Sequence, residues 1–178
     1  MSKLVIANFK MNGSKDFIES WIKHFSAEEE STNEILVALP SPYLTIFQNK
    51  GLSLSGQNVS NKESGAFTSQ ISAQMLKDCG VEYCLIGHSE TRQFLKETNE
   101  IIKEKFDQLK QESIKPILCI GEPLKIKEAS KTMDFLSDQL ELINSDQDDL
   151  ILAYEPIWAI GTGLIPEISD IQLAIDCI

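Results

Sequence analysis

Six short apolar runs, each followed by a longer stretch of helical or turn-forming sequence, leave this chain few ways to fold. The runs are Leu4–Phe9, Ile35–Pro40, Leu52–Gln57, Val81–Gly87, Pro116–Gly121 and Leu150–Glu155. They lack polar alternation, as parallel strands buried on both faces require. Between them Phe17, Trp21 and Phe25 recur at i, i+4 and i+8, while Ile102, Phe106 and Leu109 share one helical face. Met133, Leu136, Leu140 and Ile143 do the same, so each predicted helix has one stripe to lay on a sheet. Ser169-Asp170-Ile171-Gln172 reads as a capping box that opens a sixth helix.

Strict β–α alternation points to a doubly wound open sheet or to a (β/α)₈ barrel. A dinucleotide-binding sheet would carry GxGxxG after its first strand, whereas Asn8-Phe9-Lys10-Met11-Asn12-Gly13 follows here. Ionisable residues recur at the C-terminal ends of strands one, four, five and six: Lys10, His88, Glu122 and Glu155. A barrel collects such residues on one face, where its chemistry is done. The expected fold class is therefore α/β, a barrel of the (β/α) type. A complete barrel typically needs about 250 residues. The 178 residues here predict an incomplete one, with about six of eight β–α units in a single domain spanning 1–178. No linker or second-domain boundary interrupts it.

Composition narrows the partners. The formal net charge of −11 argues against nucleic acid and against an anionic membrane surface. An anionic ligand would have to be held locally, by a single Lys or by helix N-termini. The four cysteines, Cys79, Cys84, Cys119 and Cys177, form no CxxC pair and no metal-like spacing with His24 or His88. Reduced thiols in a cytoplasmic protein are the expected state. The start, Met1-Ser2-Lys3-Leu4, runs directly into a strand without a signal-type segment, and no stretch approaches a membrane span.

Taken singly, most of the ionisable residues have ordinary readings. Lys10, near the chain start, would be a solvated charge, and His24 would lie on the polar flank of the first helix. On that reading His88 would leave a buried strand as a satisfied structural histidine, and Glu90 and Arg92 would be no more than an ion pair capping the turn that follows. Glu155 resists such a reading, because a carboxylate ending an apolar strand is costly to bury without a role. It opens onto Pro156-Ile157-Trp158-Ala159-Ile160-Gly161-Thr162-Gly163, a segment able to hinge. A base buried beside a mobile lid suits removal of a proton from carbon with water excluded.

Five segments occur in order on separate strand ends: Asn8-Phe9-Lys10-Met11-Asn12, Gly65-Ala66-Phe67-Thr68, Gly87-His88-Ser89-Glu90, Cys119-Ile120-Gly121-Glu122 and Ala153 to Gly163. Together they closely resemble the triosephosphate isomerase family, through the sixth strand and into the sixth helix. The resemblance implies interconversion of dihydroxyacetone phosphate and glyceraldehyde 3-phosphate, a step shared by glycolysis and gluconeogenesis, without cofactor or metal. It implies that Glu155 is the base shuttling a proton between adjacent carbons and that His88 is a neutral imidazole donating to the carbonyl oxygen. In that family this pair is itself a type example of pKa tuning. Lys10 would stabilise the enediolate and the phosphate, Asn8 would orient the substrate, and Gly161 would offer a backbone amide within the lid, Ile157–Gly163. Glu90 resembles a second carboxylate near the lysine, with Ser89 and Cys119 as supporting residues. The base needs desolvation, and the developing oxyanion needs donors already in place.

Some positions depart from the family pattern. Leu164-Ile165-Pro166 follows the lid where Lys or another polar residue is usual, Thr91 replaces the first of two arginines, and Ser69-Gln70 replaces Gly-Glu. The family's phosphate-binding loops after strands seven and eight have no counterpart in the sequence, which reads as a C-terminally truncated relative. Family members are dimers held by a loop that Asn58–Thr68 matches, including Phe67 and Thr68. With strands one and six unpaired, association as a dimer or tetramer is expected. Two functions follow: a weak or impaired isomerase, or a non-catalytic oligomeric remnant or fragment.

Overall fold

Each apolar run forms a parallel strand, and the strands hydrogen-bond in sequence order. A computed structural model of the chain describes residues 3–47 and 52–177, apart from 26–32, 142 and 144–149. The first strand is β1 (Leu4–Asn8), followed by helix α1 (Lys15–Phe25) and strand β2 (Glu34–Ala38). A 3₁₀ turn at Ser41–Phe47, with Pro42 in its first turn, precedes β3 (Ser53–Gly56). Then come α2 (Ala73–Asp78), β4 (Tyr83–Ile86), α3 (Ser89–Phe94), α4 (Asn99–Gln111) and β5 (Lys115–Ile120). Helices α5 (Leu124–Glu128) and α6 (Thr132–Leu140) lead to β6 (Ile151–Tyr154), and α7 (Ile168–Cys177) follows a short 3₁₀ turn at Ile157–Ala159. All five ladders are parallel, and the six strands form one curled, incomplete barrel in the order β1 to β6. Among the described residues β1 and β6 each have one unpaired edge.

Strand alternation separates two apolar layers. Ile6, Leu36, Ala38, Leu85, Ile117, Cys119, Ile151 and Ala153 pack together on the inner face. Val37, Leu54, Cys84, Ile86, Leu118 and Ile120 face the helices, joined by Leu76, Ile102, Phe106 and Leu109. Successive side chains on a strand point to opposite faces. Asn8 therefore follows Ile6 on the inner side, and Glu155 follows Ala153.

The helices depart from the expected stripes in two places. On α1 the buried pair is Ile18 and Ile22, one position beyond Phe17 and Trp21. Phe17 is half exposed and meets the edge of Phe9 at 6.2 Å, and Trp21 stands perpendicular to the same ring at 5.4 Å. The rings thus flank the strand end while the aliphatic pair covers the sheet; the side chain of Phe25 lies outside the described residues. On α6 Leu136 is fully buried but Met133 is exposed.

The helix α7 opens two residues before the expected capping box. Glu167 accepts from the backbone N–H groups of Asp170 and Ile171, and its own N–H donates to Asp170 Oδ2 at 3.0 Å. Asp170 reaches back to an otherwise orphan donor, which anchors the helix start.

Candidate active site

The inner-face parity of β6 carries Glu155 to the C-terminal end of the sheet, where its N–H extends the ladder to Ile120 O at 2.7 Å. Oε2 accepts from Ser89 Oγ at 3.0 Å and lies 3.5 Å from His88 Nε2. Oε1 is buried with no hydrogen-bond partner among the described residues. Leaving a carboxylate oxygen dry and unpaired is unfavourable. The site holds Glu155 in this position through its backbone and through one oxygen only.

His88 reaches the same place by a sharp exit from β4. Gly87 has φ +69°, and a Cβ there would crowd Arg92 Nη2 at 3.0 Å and Cys119 O at 3.1 Å. The turn therefore needs a residue without a side chain. The imidazole caps α3, with Nδ1 accepting the Glu90 N–H at 3.2 Å. In the neutral ring that leaves the proton on Nε2, the nitrogen beside Glu155.

Lys10 sits beyond β1 in the left-handed region, at φ +49°. Such a conformation costs about 1–3 kcal/mol and persists only where neighbours enforce it. Asn8 Oδ1 accepts the Lys10 N–H at 2.9 Å, and Gln57 Nε2 donates to Lys10 O and to Ala38 O at 3.0 Å each. The ammonium is aimed at Glu90, Nζ to Oε1 2.7 Å, with both side chains partly exposed. Gln57 ends the third apolar run, and this polar strand end is the signal by which it could have been found from sequence.

Glu90 and Arg92 do not pair with each other. Arg92 donates to Gly87 O at 2.7 Å, Asn99 Oδ1 at 2.7 Å and Cys119 O at 3.4 Å. Its planar fork spans carbonyls of two strand ends, a task for which it is better shaped than for a single carboxylate. Cys119, on the inner face of β5, has its thiol pKa pushed well up, first by burial and then by the charge of Glu155. Cys79, Cys84 and Cys119 are free thiols; the Cys177 side chain lies outside the described residues. His24 is exposed at the end of α1, with Nδ1 2.7 Å from Ser20 O.

Glu122 is buried and fastens the start of the segment that follows β6. It accepts from Trp158 Nε1 at 2.8 Å and from Tyr154 OH at 3.1 and 3.2 Å. Gly161 and Gly163, at φ +71° and +78°, carry the chain on from there; apart from chain neighbours, no heavy atom of the described residues lies within 4 Å of a Cβ on either. The Leu164-Ile165 pair beyond them is exposed. The structure thus gathers Asn8, Lys10, His88, Ser89, Glu90, Cys119 and Glu155 at one end of the sheet. Gly161 lies on the exposed segment that follows β6, and Phe67 and Thr68 lie on an exposed loop.

A curled parallel sheet delivering ionisable side chains to one end describes an enzyme of the (β/α)-barrel class. Comparison with known proteins narrows this. The family described as Triosephosphate isomerase matches residues 3–178. A triosephosphate isomerase of Buchnera aphidicola subsp. Cinara cedri is 43% identical, over 95% of this chain and 72% of that protein. One from Aspergillus oryzae is 40% identical, over 93% and 70%, and one from Alkaliphilus oremlandii is 40% identical, over 98% and 75%. The chain belongs to the triosephosphate isomerase family, a family of isomerases.

Proposed function

We propose that this chain, as a single incomplete barrel domain over 1–178, interconverts dihydroxyacetone phosphate and glyceraldehyde 3-phosphate through an enediolate. Glu155 takes the proton from the carbon beside the carbonyl and returns it to its neighbour. His88 donates from Nε2 to the carbonyl oxygen as negative charge grows there. Lys10 offsets that charge and the phosphate, Asn8 orients the substrate, and Glu90 tethers the ammonium until substrate arrives. Gly161 contributes a backbone amide when the lid closes. Ser89 and Cys119 support the base in its resting position.

The observation that carries this reading is the 3.5 Å approach of Glu155 Oε2 to His88 Nε2, with His88 Nδ1 already committed to the Glu90 N–H. From the same end of the sheet His88 reaches the carbonyl oxygen of a bound substrate and Glu155 the carbon beside it. Among the described residues no helix is long and apolar enough to cross a membrane, and the reading extends to a cytoplasmic homo-oligomer. The open edges of β1 and β6 favour weak turnover by the 178 residues alone. The same edges support the second reading, a non-catalytic oligomeric assembly.

A coupled isomerase assay on the chain and on Glu155→Gln tests the proposal. Loss of a positioned base should lower kcat/KM by about 10²–10⁴-fold, with circular dichroism unchanged. Comparable kcat/KM in the two proteins would remove Glu155 from the mechanism, and absence of turnover in the unsubstituted chain at any protein concentration would favour the second reading.

A further inference from the structure

Lys127 occupies a position that neither the strand-end pattern nor the catalytic residues account for. Its ammonium lies 3.4 Å from the centroid of the Trp158 ring. The same Nζ is 2.8 Å from Asp170 Oδ2. Trp158 is the buried residue at the entrance to the lid, and its indole N–H is already held by Glu122. Asp170 Oδ2 also accepts the Glu167 N–H, just past the lid's far end. One cation therefore touches both flanks of the segment that must move, over the face of an aromatic ring whose edge is held by a carboxylate.

We propose that Lys127 is a positioning residue for the lid: it clips the Trp158 flank to the Asp170 flank and sets how often the intervening segment opens. This rests on reading Ile157–Gly163 as the lid of an isomerase site. The paired charge and the ring interaction act on the same group, so removing the ammonium releases both ends together. Lys127 hydrogen-bonding also holds the Asp170 carboxyl below its usual range, in keeping with a cation retained there.

The test uses substrate-free full chain in a Trp21→Phe background, which leaves Trp158 as the sole tryptophan. Lys127→Met keeps the apolar stem and removes the charge; Lys127→Arg keeps the charge. Amide hydrogen exchange at Ala159 and Ile160, whose N–H groups bond to Pro156 O and Ile157 O, reads local opening. In Lys127→Met exchange there should rise by about 2- to 30-fold, the range that loss of one cation–π contact permits. Core amides of β4 and β5 should not change. Trp158 emission should shift and its acrylamide quenching increase, and Lys127→Arg should restore both. Unchanged lid exchange and emission in Lys127→Met would overturn the proposal. So would acceleration shared equally by β4 and β5, which would make Lys127 a contributor to global stability only. None of these readouts requires turnover, so an inactive chain would refute the isomerase reading while leaving this one separately decidable.

Discussion

The carbonyl oxygen of Glu155 lies directly over Gly121, so close that a Cβ on Gly121 would stand 1.8 Å from it. Gly121 also exchanges hydrogen bonds with the side chain of Gln139, its N–H donating to Oε1 at 2.9 Å and its carbonyl accepting from Nε2 at 3.3 Å. The backbone beneath the proposed base is therefore pinned from α6 on one side and pressed against β6 on the other. Neither partner has slack, because the clashing atom belongs to the main chain.

Gly121→Ala should consequently displace Glu155 or unfold the sheet edge. A destabilisation of about 3 kcal/mol, the upper end of ordinary overpacking, is expected in urea unfolding. Isomerase activity should fall with it. A variant that melts with the parent and keeps its turnover would show that the strand ends separate more easily than this geometry implies.

Lys10 presents the opposite case. Its ion pair with Glu90 is partly exposed on both sides, so it contributes about 0–1 kcal/mol to stability. Lys10→Met should leave the melting temperature nearly unchanged yet abolish most of the turnover that rests on its charge. Loss of stability without loss of turnover would reverse the roles assigned here.

Burial raises the Cys84 thiol from an ordinary 9.0 to about 12. The unfolded chain gives up this proton first, so the stability associated with a neutral thiol is present below pH 9 and is lost as pH climbs from about 9 to 12. Within that window the difference between parent and Cys84→Ala should change by about 1.4 kcal/mol per pH unit. Parallel stability curves from pH 9 to 11 would contradict a buried neutral thiol.

The loop bearing Phe67 and Thr68 stands on a fastened base. Ser60 Oγ bonds to Gln70 Oε1 at 2.6 Å and the Ser60 N–H donates to Ile71 O at 2.7 Å. Phe67 is 42% exposed near the tip, next to Gly65 at φ +125°. An apolar ring on a rigid projection suits insertion into a second copy. Light scattering at micromolar concentration should give a dimer or tetramer, and Phe67→Asp should shift it toward smaller species. A folded monomer for the unsubstituted chain would remove association from the proposed function.

The alternation of six apolar runs and the ordered strand-end segments were legible in the sequence, and with them the parallel sheet and the family. Both are local signals: backbone hydrogen bonding and side-chain period act over a few residues, so a linear reading captures them. Which parity of each strand faces inward was not so available. Cys119 and Leu118 are equally apolar, and only the curl of the sheet puts the first beside Glu155 and the second under the helices. The charges were less legible still. Glu90 turned from its near neighbour Arg92 to Lys10, eighty positions away, while Arg92 took up carbonyls of two strands. Long side chains choose partners by distance in space, and desolvation decides which of those pairings is worth making. Gln139 and Lys127 escaped a linear reading for the same reason: each acts on a backbone or a ring that the chain brings to it only by folding.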